Sequence, residues 1–213
     1  MDLKPIIIIG AGGLGREVKC LIDDINNIKP QWEFIGFVDD NNKLNNTIEG
    51  FEIIGTRKKI VDLDLKPYLV CAIGDPRTRK KIISELYDYN FATLIHPSVI
   101  KSEYVSIGEG SIICAGTILT TNIEIGKHSI LNLGCRIGHD SKLGDYSSLM
   151  FGVNIAGEVE IGEGCYFGLN ASVINRTNVG AWSIIGAGAS VIRDIPSRVV
   201  AVGVPAVPIK QLP

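Results

Sequence analysis

The stretch "IGHDSKLGDY", residues 137–146, sets a histidine and an aspartate side by side between two aliphatic-Gly pairs, Ile137-Gly138 and Leu143-Gly144. A histidine titrates near neutral pH, and a carboxylate on one ring nitrogen fixes the tautomer and raises the basicity of the other. His139 with Asp140 is therefore a candidate proton acceptor for a hydroxyl or amine nucleophile. An exposed His-Asp pair is also ordinary turn chemistry, and the pair alone does not choose between these readings. His96, before Pro97, and His128, after Gly126, have no acid immediately beside them and read as structural.

The elements around the pair count in sixes. Stepping from Ile107 gives Ile113, Leu119, Ile125, Leu131, Ile137, Leu143, Leu149, Ile155, Ile161, Phe167, Val173, Val179, Ile185 and Val191, an unbroken apolar series. Two residues before each stands a small or β-branched residue, among them Ser111, Ser129, Cys135, Ser147, Val159 and Ala189. This is the hexapeptide repeat of a parallel β-helix. The large residue fills a three-faced prism, the small one sits near a corner, and the glycine that often follows the large one supplies backbone freedom at the turn. Three hexads make one coil of 18 residues, so residues 107–191 give five coils, about 24 Å at roughly 4.8 Å per coil. His139 lies two residues past the inward Ile137, at a corner, and should point outward. One coil away on either side stand Thr121 and Gly157, both small, which leaves room for a substrate. The pattern does not set handedness. An open coil exposes strand edges, so a terminal cap is needed.

Composition narrows the function. The chain has 213 residues, 46% hydrophobic, with a net charge of -2, and Lys and Arg are scattered, so nucleic acid and anionic membranes are not its partners. The apolar run "PIIIIGAGGLG" is far short of the roughly 20 residues of a membrane span, and it lacks a basic leader and cleavage site. A cytoplasmic protein is expected. Five cysteines without a CxxC pair argue against both zinc and a disulfide framework, and no metal is expected.

Residues 1–92 read as a separate, Rossmann-like α/β unit. "KPIIIIGAGGLGREVKCLIDDI" is a buried strand, a Gly-rich turn and a helix; "FIGFVDD" and "YLVCAIG" are further strands, and a basic helix runs from about Arg77 to Asn90. Gly10, Gly12 and Gly15 satisfy GxGxxG, and Asp39 follows 24 residues after Gly15. Taken alone this says NAD. The unit is only about half a dinucleotide fold, however, and a helix N-terminus with an acid at the next strand tip suits any nucleotide, so a mononucleotide or nucleotide sugar fits its length better. The same glycines could instead serve helix-on-strand packing. The run "RTRKK", Arg77 to Lys81, reads as a solvated helix face.

The fusion of the two units resembles the NeuD/PglD-type sugar acetyltransferases of the hexapeptide-repeat acyltransferase superfamily. The motifs "GAGGLGREV", "FVDDN" and "IGHDSKLGDY" carry the resemblance, together with the closing "VAVGVPAVPIK". It implies a left-handed parallel β-helix over residues 93–196, a C-terminal cap over 197–213, and a homotrimer. It also implies transfer of acetyl from acetyl-CoA to the amine of a nucleotide-linked amino-deoxy sugar for a bacterial surface glycan. O-acetylation of sialic acid or a related sugar is the alternative. From other classes, an NAD-binding protein or a non-catalytic nucleotide-sugar sensor is opposed by the outward His-Asp corner. The resemblance makes His139 the general base and Asp140 its orienting acid, and lines the sugar-nucleotide site with Gly12, Gly13, Leu14, Asp39, Asp40 and Gly74. It lays acetyl-CoA along the outside of the prism, between subunits, near Ser148, Leu169 and Ala187. Such proteins often carry histidine at the positions of Leu14 and Ser148; this chain does not.

Overall fold

The computed structural model describes residues 3–41, 47–63 and 65–213. Its first unit is a five-stranded sheet. Strand β1 (Lys4–Ile9) lies inside it, parallel to β2 (Trp32–Val38) on one side. Beyond β2 come β4 (Phe51–Gly55), parallel to it, and the antiparallel β3 (Thr47–Ile48), while β5 (Tyr68–Cys71) runs parallel to β1 on the other side. Ile6, Ile7, Ile8 and Ile9 are all buried, as a central parallel strand requires. Helix α1 (Gly13–Ile28) turns Val18, Leu21, Ile22 and Ile25 onto the sheet, the i, i+3, i+4, i+7 stripe of a half-buried helix. Helix α2 (Pro76–Glu85) starts where Asp75 accepts the Thr78 N–H at 2.7 Å and Pro76 occupies the first turn; it ends five residues before the sequence pattern suggested. Strands β3 and β4 were not legible in the sequence.

The second unit is a left-handed parallel β-helix. Its three sheets hold eight, six and five strands, mostly two residues long. The register is 18 residues: Ile118 pairs with Arg136, Arg136 with Asn154, and Asn154 with Ser172. All fifteen large positions except Ile107, and all of their small companions, are buried. The repeat also reaches beyond the hexads legible in sequence. Leu94–Ile95 already pairs with Ile112–Ile113, and Ile184 pairs with Val200, so the last coil is two residues short. The antiparallel strand Val207–Gln211 then covers Val199–Val202.

Two details of the prism differ from the sequence expectation. The buried serines are more than small. Ser147 Oγ donates to Gly162 O at 3.2 Å and accepts from Cys165 N at 3.2 Å, so each hydroxyl bridges neighbouring coils and is satisfied. The glycines after the large residues do not supply positive φ. A Cβ at Gly126 would stand 2.5 Å from Asp145 N, and one at Gly144 2.5 Å from Glu163 N, so these glycines permit close coil-to-coil approach. The left-handed turn residue comes two positions later, at His128 (φ 53°), Asp140 (φ 59°), Tyr146 (φ 58°) and Trp182 (φ 61°).

The first unit sits on an outer face of the prism. Ile112 and Ile130 point away from the helix interior and share a core with Ile6, Ile8, Val18, Val70 and Leu94. Helix α2 lies against the corner that carries His128 and Tyr146. His139 is in a different corner, between the strands Arg136–Ile137 and Lys142–Leu143.

Candidate active site

His139 points outward, its side chain 56% exposed, and its Nδ1 lies 2.7 Å from Asp140 Oδ2. The other carboxylate oxygen of Asp140 accepts from Asn122 Nδ2 at 2.5 Å, one coil below. That hydrogen bond, and then the one with His139, hold the Asp140 carboxyl below the usual range, so it stays ionised at neutral pH. An ionised Asp140 accepts a hydrogen bond from Nδ1–H, which leaves the Nε2 lone pair available to a substrate. The imidazole lies over Gly157, where a Cβ would stand 2.6 Å from Nε2. The small residue one coil above thus makes room for the ring itself, not for a substrate as the sequence suggested. Beside the ring, Glu158 accepts from Arg176 Nε at 3.0 Å, and this bond holds its carboxyl low as well.

The Gly-rich turn divides its glycines by role. Gly10 (φ +100°) approaches Ala72 O, and a Cβ at Gly15 would lie 2.0 Å from Gly10 O, so these two serve the packing of α1 on the sheet. Gly12 and Gly13 are exposed with nothing within 4 Å of a Cβ, and no side chain caps the helix they open. Their amides are therefore the ones open to a ligand. Asp39 accepts from Ala11 N and from Asn41 N, both at 2.8 Å, which fixes the turn against the tip of β2. Asp39 and Asp40 both line a cleft of about 350 Å³ with Gly10, Arg57, Ile73, Thr78 and Lys81. Asp40 is committed to Arg57 at 2.6 Å, and Arg57 also holds Glu85 at 2.7 Å. Leu14 is half-buried in the core beneath the turn. Gly74 lines a neighbouring cleft of about 390 Å³ with Tyr166, Trp182 and Ile184.

The three residues expected near acetyl-CoA separate. Leu169 and Ala187 stand one coil apart on an exposed corner, where Gly188 N donates to Leu169 O at 2.8 Å. Ser148 is fully buried; its hydroxyl donates to Gly74 O at 2.7 Å and accepts from Arg79 at 2.9 Å, so it offers no surface beside the other two. The solvated face expected for "RTRKK" is also corrected, because Arg79 is only 1% exposed, whereas Arg77, Lys80 and Lys81 are exposed. His96 does find an acid, Asp24 of α1 at 3.1 Å, which sequence adjacency could not reveal. His128 is buried beneath α2, stacked on Tyr146 and edge-on to Phe91, and burial pushes its pKa down to about 4. A concavity of about 930 Å³ lies on the outer face carrying Glu124, Lys142 and Glu160, and neither His139 nor the Gly-rich turn lines it. Among the described residues no cluster of His, Cys, Asp and Glu could hold a metal, and no helix is long and apolar enough to cross a membrane.

The chain is similar to several known proteins. The model of the PglD N-terminal domain family matches residues 5–86. A UDP-N-acetylbacillosamine N-acetyltransferase of Bacillus subtilis (strain 168) is 38% identical over 120 residues, 53% of this chain and 52% of that protein, so the chain aligns with about half of that relative's length. A mutant of perosamine N-acetyltransferase from Caulobacter crescentus, solved in complex with CoA and GDP-perosamine, is 31% identical. It superposes with a TM-score of 0.87 over 99% of both chains. The acetyltransferase domain of PglB from Neisseria gonorrhoeae FA1090, in complex with acetyl coenzyme A, is 27% identical with a TM-score of 0.88, covering 98% of this chain and 100% of that one.

Proposed function

We propose, for a chain that belongs to the PglD-type family of sugar N-acetyltransferases, that it moves the acetyl group of acetyl-CoA onto the amine of a nucleotide-linked amino-deoxy sugar. The observation that carries this reading is the outward His139 ring, held by Asp140 at 2.7 Å with Nε2 left over. The sugar's neutral amine attacks the thioester carbonyl, and His139 Nε2 takes the proton that the amine loses as the C–N bond forms. The tetrahedral intermediate then collapses with cleavage of the C–S bond. CoA leaves as a thiol once it has received that proton, and no metal is needed. Ionised Asp140 stabilises the imidazolium in between.

The acceptor's nucleotide is held by the Gly12 and Gly13 amides with Asp39 nearby, and acetyl-CoA lies along the corner of Leu169 and Ala187. His139 stands in a prism corner, while the Gly-rich turn belongs to the α/β unit packed on another face, which favours a homotrimer in which neighbouring copies bring these elements together. Three chains of 23.0 kDa give about 69 kDa, and light scattering that returned a stable monomer at micromolar concentration would remove this arrangement. The substrates are metabolites of the cytoplasm, and the product serves a bacterial surface glycan.

The test is a screen of UDP- and GDP-linked amino sugars with acetyl-CoA, following free thiol and the acetylated sugar. Release of CoA only with an amino-deoxy sugar is expected. Release only with a hydroxyl acceptor such as sialic acid would turn the reading to O-acetylation, and tight NAD binding with no thiol release would replace it by a nicotinamide-binding role.

A further inference from the structure

Among the described residues Arg79 is the largest fully buried side chain, and its hydrogen-bond partners include no carboxylate. Its guanidinium donates only to carbonyls and one hydroxyl. Nε reaches His128 O at 2.8 Å, and Nη1 reaches Ile73 O at 2.6 Å and Gly74 O at 3.2 Å. Nη2 reaches Tyr146 O at 2.5 Å, Ser147 O at 3.2 Å and Ser148 Oγ at 2.9 Å. The acceptors fall into two groups: the 73–74 peptide just past β5, and a prism corner spanning two coils. Ser148 closes the ring by donating its own hydroxyl to Gly74 O at 2.7 Å. On its other side Gly74 is open, with nothing within 4 Å of a Cβ, and it faces the cleft shared with Tyr166 and Trp182.

A buried lone cation is an expensive tie. Burial pushes the Arg79 pKa down to about 10, which still leaves it charged at neutral pH, and apolar residues of similar volume often stabilise such sites better. What a guanidinium adds is a rigid planar fork that fixes several acceptors in direction as well as distance. We infer that Arg79 is a positioning residue for the nucleotide-sugar site, locking the Gly74 peptide to the prism so that the α/β unit presents its ligand cleft at one fixed place. The inference rests on the proposed function for the identity of the ligand and on the geometry of the fork for the rest.

The test varies each substrate separately with wild type, Arg79→Lys and Arg79→Met, in protein that is monodisperse on gel filtration. Arg79→Lys keeps the charge and loses the fork, so KM for the nucleotide sugar should rise by about tenfold or more, while KM for acetyl-CoA stays within about twofold. A lower melting temperature with both KM values unchanged would show a merely structural tie and overturn the inference. If both Arg79 variants fail to fold, Ser148→Ala removes one bond to Gly74 O and should raise the same KM by about threefold; an unchanged KM overturns the inference. Wild type that transfers no acetyl to any amino sugar would sink the proposed function alone. Calorimetry with GDP and UDP then decides for Arg79: weaker binding by Arg79→Lys sustains the inference, and binding that is equal in, or absent from, both proteins overturns it.

Discussion

The corners of His139 and His128 belong to the same prism and have opposite chemistry. The corner of His139 is bare. Its ring is exposed, an ionised acid holds one nitrogen, and the other lies over Gly157. The corner of His128 lies under α2, Phe91 and Tyr146, and among the described residues its Nδ1 has no hydrogen-bond partner. The backbone rule is shared, with a close-approach glycine followed two residues later by a left-handed residue, and the covering differs. The repeat builds many equivalent corners. What packs on a corner decides whether its histidine is open to a substrate or a buried neutral filler.

The widest separation should come from His139→Ala, which lowers turnover by about 10² to 10⁴ with little change in KM for acetyl-CoA, whereas His128→Phe leaves turnover within about threefold. An amine is partly unprotonated near neutral pH, so an amino acceptor should show the smaller end of that range and a hydroxyl the larger. Steady-state thiol release checks both.

Stability should separate the corners next. The folded state holds His128 near 4, below the 6.5 of the unfolded chain, so only the unfolded state takes the proton between those values. The stability that His128 contributes therefore falls as pH drops from about 6.5 to about 4, by at most about 3 kcal/mol, and this contribution levels off below. Urea unfolding at successive pH values should show this slope in wild type and lose it in His128→Phe.

Smaller effects grade the support of the bare corner. Asp140→Asn keeps the shape and removes the charge, so turnover should fall by about tenfold. Gly157→Ala pushes a methyl into the ring's place and should cost a similar factor, because the ring must turn away from Asp140. Asn122→Ala frees one carboxylate oxygen and should cost about threefold, mostly in kcat. Turnover unchanged in all three would mean that the corner does not need its acid.

How much of this was legible follows from how local each rule is. The 18-residue register repeats one short-range demand, a large inward residue with a small companion, and so the prism could be read from Ile107 to Val191. Its ends could not, because Lys101 breaks the hexad and the last coil drops two residues. The contact of His139 with Asp140 is between neighbours and was visible. Asn122 is a coil away, Asp24 reaches His96 across 72 residues, and Arg79 meets Tyr146 across 67, so only the fold reveals these partners. In the Gly-rich turn the motif gave spacing but not role: Gly10 and Gly15 pack, and Gly12 and Gly13 stay open. The resemblance laid acetyl-CoA along the outside of the prism near Ser148, but the α/β unit lies on top of that residue.

The central claim is that the bare corner supplies the proton acceptor, and chemical rescue tests it most directly. His139→Ala, shown by calorimetry to bind CoA as wild type does, is assayed for thiol release with added imidazole across neutral pH. The account predicts a deep loss without imidazole and a rate that then rises in proportion to the unprotonated imidazole, whose ring can occupy the space over Gly157. Near wild-type turnover by His139→Ala without any imidazole would contradict it and put the base elsewhere.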